Sequence, residues 1–404
     1  MIENLKVAHI NPEQRVWFVR SDSGWYADHF KFGGLIATGH LSEIFPDDIK
    51  ELPTLEDVRN KILGDDEYST FRQKNKDQKA TKVFNQKGSK LFNAIDRFYN
   101  EISIGDLVIT KNASSGFMIG VCSSSSPYFS MDPVDLPNSE IAGDNQSLRL
   151  EFTLRKSVIW GPTIPRHEVP ESLQNSLARN TITELTVHKQ MIYHLLYPFY
   201  TDGESLFFSN KIRTTSDINS AVIGKLFQNI SLVTPLVAAL LAGTAVEADT
   251  IIKLAEQSIF SDIILSTSKA DFASPGDTWS KIPFSGTIES LPKHVIAVAL
   301  GCLLVTGAVI VESSSVDQEA RSGSQVTEEK STPFNDKFKD AIPSEPISEI
   351  EKSINRHQEA INDLQEKTYV STIQDSLQLQ IVAPNTSTLE NFQYGMKVYK
   401  TGVE

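Results

Sequence analysis

Cations set beside flat side chains are the residues of this 404-residue sequence best suited to chemistry. Arg20, Trp25, Tyr26 and His40 flank the first predicted strand pair, and Lys111 stands at the mouth of the turn at 110–116. A pocket for single-stranded nucleic acid needs cations for phosphate and planar rings for base stacking, so these residues form the first candidate ligand site. Trp25 and Tyr26 follow a Ser-Asp-Ser-Gly turn, which suits a pocket rim as well as it suits the core. Trp17 and Trp160 sit in alternating apolar strands, where packing is the better explanation.

A second candidate is FRQKNKDQKATKVFNQKGSK, in which Arg72, Lys74, Lys76, Lys79, Lys82, Lys87 and Lys90 make the densest basic run of the chain. Such a run can hold a phosphate backbone, and it can also be no more than the solvated face of a helix. No catalytic constellation assembles. The serine runs at 123–126 and 313–315 lack the context of a nucleophile elbow, the RHE triplet at 166–168 lacks metal-ligand spacing, and no Gly-rich phosphate loop occurs. The expectation is therefore a binding protein and not an enzyme, with neither metal nor cofactor.

Composition narrows the partners. Lys and Arg number 38 against 51 Asp and Glu, a formal charge of −13, which argues against coating duplex DNA over the whole surface and requires any nucleic-acid contact to be local. Residues 1–200 carry 22 basic and 25 acidic side chains, and the rest carries 16 and 26, so an anionic ligand fits the first half better. Cys122 and Cys302 are too few for a disulfide framework, which points to a reducing compartment. The first twenty residues lack the basic and then apolar pattern of a secretory signal.

The elements that must position these residues follow from periodicity. Strands are expected at 16–20 and 35–38, a hairpin at 107–110 and 117–122, and a further strand pair within 147–160. Residues 54–100 have helical spacing, with Leu91, Ile95 and Phe98 on one face. Pro170, Glu171 and Ser172 open one short helix and Thr183 caps another. The fold class expected is α+β: a curved β-barrel with a helical insertion over 1–205, then transmembrane helices, then a short coiled coil and a small β element.

Two uncharged runs dominate the second half, LFQNISLVTPLVAALLAGTAV at 226–246 and residues 295–311. Both fall in the length window of about 17 to 25 residues for a membrane span, and both carry the Gly and Ala residues that let helices approach in lipid. The alternative is burial in the core of an α/β fold. Region 206–312 is thus expected to be a membrane region, with an amphipathic helix at 251–266 between the spans. Lys211, Arg213 and Lys225 before the first run, with Glu247 and Asp249 after it, place the first domain in the cytoplasm, whereas Lys281 and Lys293 oppose a simple hairpin. A hairpin with a short external loop and a single span at 295–311 both stay open.

Residues 313–345 read as a polar linker. In 346–404, Ile347, Ile350, Ile354, His357, Ile361 and Leu364 follow an a/d heptad spacing, predicting a coiled coil. Isoleucine at both positions leans toward a trimeric or tetrameric homo-oligomer, and His357 fixes register or is merely tolerated, a pH switch being the weaker reading. Strand-like SLQLQIVAP and FQYGMKVYK end the chain.

The order VWFVRSDSGWYADHF, LIATGH, ISIGDLVIT, FMIGVC and VIWGPTIPRHEVPESLQNSLARNTITEL resembles the PUA/EVE-like N-terminal domain of bacterial restriction and defence proteins related to the Mrr and McrBC systems, over roughly half the chain. The resemblance implies a pseudobarrel that reads a modified base or a nucleic-acid end. Nuclease members carry an acid/acid/Lys site after this domain, and no strand with an Asp followed by Glu-x-Lys is found in 201–404. With apolar runs in its place, the arrangement is similar to membrane effectors of antiphage systems, that of the Hailong system above all, a system associated with a nucleotidyltransferase that makes DNA oligomers. This implies an oligonucleotide-controlled oligomeric pore in a bacterial inner membrane, in contact with lipid. The rival expectation is a soluble specificity subunit that reads modified DNA for a nuclease encoded elsewhere.

Overall fold

The computed structural model describes residues 5–45, 51–73, 79–112, 116–136, 149–176, 180–258, 261–271, 276–284, 290–312, 345–392 and 396–400. They form a mixed α+β fold of two large sheets that share one apolar layer.

The first sheet has seven strands and curls into a half-barrel. Its order is Ile182–Glu184, Val16–Val19, Leu107–Asn112, Gly116–Cys122, Leu154–Ile164 and Leu35–Thr38, with Tyr128–Phe129 also on the long Leu154–Ile164 strand. Successive side chains of a strand point to opposite faces, and these sequences fill both faces with apolar residues. Trp17, Val108, Met118, Val158 and Trp160 face a helical insertion, while Phe18, Leu107, Ile109, Phe117 and Ile164 face the layer shared with the second sheet. The insertion contains helices Leu55–Gly64 and Gln86–Asp96 and, between them, the hairpin Ser69–Arg72 with Thr81–Phe84. Leu91, Ile95 and Phe98 are buried together, as their spacing predicts. Two local expectations fail. Thr183 lies in a strand opposite Phe18 and caps no helix, and the strand pair expected within 147–160 is one long strand starting at Leu154.

The second sheet draws strands from the whole chain. Its order is Thr267–Asp271, Gly276–Pro283, Ser205–Ile212, Phe199–Thr201, Lys6–Ile10 and Met396–Lys400, and Leu379–Ala383 bridges the far end of Ser205–Ile212 to Val309–Glu312. Lys6 pairs with Lys400. The domain edge expected at 205/206 therefore falls inside the hairpin of Phe199–Thr201 and Ser205–Ile212, and segments from both ends of the chain close one sheet.

The expected spans belong to this sheet's cover. The 226–246 run divides into Ser220–Ser231 and Val233–Ala242 and stops at Gly243. The 295–311 run is not one helix: Leu291–Thr306 ends at Gly307, whose φ is 66°, and Val309–Glu312 is a strand parallel to Leu379–Ala383. A helix apolar all round is buried either in lipid or in a large core, and here the sheet and neighbouring helices surround it, with Val295 through Leu300 all buried. Gly301 is where the two runs meet: a Cβ there would stand 2.9 Å from Val237 Cγ2. At Gly301 a small residue of the kind that suits helix contact in lipid serves contact between two helices of this chain.

Two further expectations change. The amphipathic helix expected at 251–266 is Ala248–Ser258, and Ile263 and Ile264 beyond it are exposed. The heptad seam breaks at His357 into Glu345–Arg356 and Gln358–Lys367. Ile350, Ile354, Ile361 and Leu364 pack into the same core as Leu291–Thr306, so these residues of the stripe meet this chain's own helices. A heptad stripe specifies an apolar neighbour, not whose it is. The His357 Nδ1 lies 2.8 Å from the Ser353 carbonyl, a local bond. The Ile347 side chain and the linker at 313–344 lie outside the described residues.

Candidate functional site

Three strand ends of the half-barrel meet at a cleft of about 400 Å³. Val16–Val19 delivers Arg20, whose backbone N–H donates to the Thr181 carbonyl at 2.8 Å. The hairpin of Leu107–Asn112 and Gly116–Cys122 delivers Lys111, paired with Phe117. This hairpin requires glycine at 116, where φ is 128° and a Cβ would lie 2.1 Å from the Ile164 carbonyl oxygen. Leu154–Ile164 leads into Arg166, whose Nε donates to Gln174 Oε1 at 3.1 Å, while Gln174 Nε2 donates back to the Arg166 carbonyl at 3.1 Å.

Arg20, Lys111 and Arg166 therefore line one cleft, with Glu171 the one carboxylate among its described lining residues. Phe18 and Phe117, both nearly buried, form its floor, and Ser21, Ser23, Gln174 and Asn175 add polar groups. No histidine or cysteine lines it among the described residues, and its basic side chains supply donors for an anion. Arginine pairs with phosphate or carboxylate through two parallel hydrogen bonds, and three cations around one volume make such an anion the matching ligand.

The rim stores strain. Asp22, Ser23 and Gly24 have φ of 46°, 60° and 102° in succession, and the two non-glycine residues each cost about 1–2 kcal/mol in this region. The turn is held by the Gly24 and Tyr26 backbone N–H groups, which both donate to the Ser21 carbonyl at 3.1 Å. Ser21, buried, donates its hydroxyl to the Lys111 carbonyl at 2.8 Å, which ties the turn to the hairpin. Trp25 follows this turn and is 46% exposed.

Of the residues singled out from sequence, Arg20 and Lys111 line the cleft, and Trp25 directly follows the turn at its rim. Tyr26 turns inward, its ring edge-on to His29 at 5.4 Å and to Phe152 at 5.1 Å, and burial pushes its hydroxyl pKa up. His40 is outside the lining: its ring nitrogens bond Glu43 and Thr181, at 3.1 and 3.0 Å. Arg72 ends the first strand of the insertion hairpin and Lys79 precedes its second, so neither lines the cleft, and Lys74 and Lys76 lie outside the described residues. Arg166 stands in the sequence only as part of an RHE triplet without metal-ligand spacing. The pairing of Phe117 with Ile164 carries it to the cleft, a long-range contact that leaves no trace in local pattern.

Among the described residues no group of three or more His, Cys, Asp or Glu comes together as metal ligands. No protein-family model matches this chain, and no curated protein or solved structure matches it either.

Proposed function

We propose that the cleft binds the phosphate end of a nucleotide or short nucleic-acid strand, with Trp25 available to stack on a base, and that the protein is a recognition module. The convergence of Arg20, Lys111 and Arg166 on one volume carries this reading. The curled half-barrel supports a PUA/EVE-like assignment for the first sheet, and with it a role in reading nucleic acid for a defence or restriction system. The test is equilibrium binding of a fluorescent, 5′-phosphorylated single-stranded tetranucleotide. Arg20→Ala or Lys111→Ala should weaken binding by roughly 10- to 100-fold, the worth of one charge-assisted hydrogen bond. Equal binding of the unphosphorylated strand, or no loss in either variant, would defeat the proposal.

The membrane-effector reading retains one observation: Ser220–Ser231 and Val233–Ala242, joined through Leu232 in helical conformation, together make 23 residues apolar enough to cross a membrane, with half of the most apolar window buried. In that reading the helical cover leaves the second sheet and enters lipid. Fractionation with a carbonate wash and then detergent decides between the two: retention in the pellet until detergent is added favours the effector, and recovery without detergent favours the recognition subunit.

A further inference from the structure

We infer that the hairpin of Ser69–Arg72 and Thr81–Phe84 is a second nucleic-acid contact, a ribbon that enters the major groove of duplex DNA. The inference extends the nucleotide reading of the cleft, but its support is separate. Between residues 70 and 90 the sequence sets seven cations against the single carboxylate of Asp77, a net charge of +6 within a chain of −13. The two strands form a sheet of their own. A lone two-stranded hairpin is marginal in water, and this one is anchored at its base: Tyr68 and Ser69 are buried, and Phe84 packs on Phe92 at 5.1 Å.

Anchoring uses some of the charge. Lys82 pairs with Asp66 at 2.7 Å, and Lys87 pairs with Glu67. Arg72, Lys79 and Lys90 are exposed and form no ion pair among the described residues. Phe71, 68% exposed, stands opposite Lys82 in the register, with the ammonium 5.9 Å from its ring centre. Strands about 4.8 Å apart, with their side chains, fit a groove about 12 Å wide. Arg72 at the end of one strand and Lys79 leading into the other set one exposed cation on each side of the ribbon for phosphates to either side, and a single exposed aromatic is too little apolar area to favour a lipid surface.

The probe is a DNA dumbbell of about 20 base pairs, closed by loops at both ends so that the cleft finds no terminal phosphate. The full chain should bind it with affinity that falls steeply with salt. The double variant Arg72→Gln/Lys79→Gln should bind roughly 60-fold more weakly at about 0.1 M salt, with the log–log salt slope reduced by about two. Its tetranucleotide binding should match that of the unaltered protein, and Arg20→Ala should do the reverse, so failure of the ribbon and failure of the cleft are separable. No dumbbell binding, an unchanged slope in the double variant, or tighter binding to duplex RNA or anionic phospholipid vesicles would each overturn the inference.

Discussion

The two sheets use their surfaces in opposite ways. The half-barrel ends in a cleft where three cations crowd one volume and a turn holds three consecutive left-handed residues. The second sheet buries one face under helices that turn apolar residues toward it. Like charges and strained backbone cost stability and persist only where the surroundings hold them in place. Binding is therefore to be sought at the half-barrel's strand ends, and stability in the helical cover.

The severest test of this division lies in the cover. Ile296→Ala removes a side chain that is 2% exposed on the central helix and should cost about 2–5 kcal/mol, because the rigid surroundings cannot close the cavity. Urea denaturation measures it. Arg20→Ala should leave the urea midpoint nearly unchanged while weakening tetranucleotide binding. If the two variants exchange effects, the division of labour is wrong.

How much of this is legible in sequence depends on the range of the interaction. Short apolar runs bounded by turn residues mark the strands at 35–38 and 117–122, and Leu91, Ile95 and Phe98 mark a buried helical face, because these signals are local. Arg20 and Lys111 stand out by type and by their place beside turns. The apolar runs do not reveal their environment, since an all-round apolar helix satisfies lipid and a protein core alike. What decides the matter is sheet pairing: Lys6 with Lys400, and Val309 with Gln380, are long-range partners that no local period encodes.

The layer between the sheets should respond to pH. His194 is half-buried on Lys189–Leu196, its ring 4.9 Å from that of Tyr200, and its buried Nδ1 has no hydrogen-bond partner. Burial lowers its pKa from 6.5 to about 3. The unfolded chain therefore takes up this proton near pH 6.5 and the folded chain only near 3, so stability falls as pH falls through that window. Between pH 6.5 and about 4.5 the loss from this residue is about 2 kcal/mol. His194→Phe should flatten the dependence by about one proton in urea titrations at several pH values, while His9 and His294, also lowered by burial, keep a residual slope of the same sign. An unchanged slope would mean that water reaches the ring.

At the rim of the cleft the two properties meet in one residue, and the change in energy is the mildest of these. Ser23 has φ of 60° and ψ of 12°, a conformation that costs an L-residue about 1–2 kcal/mol and glycine almost nothing. Ser23→Gly relieves that cost, and the greater freedom of glycine in the unfolded chain offsets part of the relief, leaving a net gain of about 0.5–1 kcal/mol. The same change frees the rim that Ser21 ties to Lys111, so the tetranucleotide should bind more weakly as the fold becomes more stable. Opposite signs in the two measurements would show that strain at the rim is tied to binding. A loss of stability would instead mean that the Ser23 side chain makes the turn.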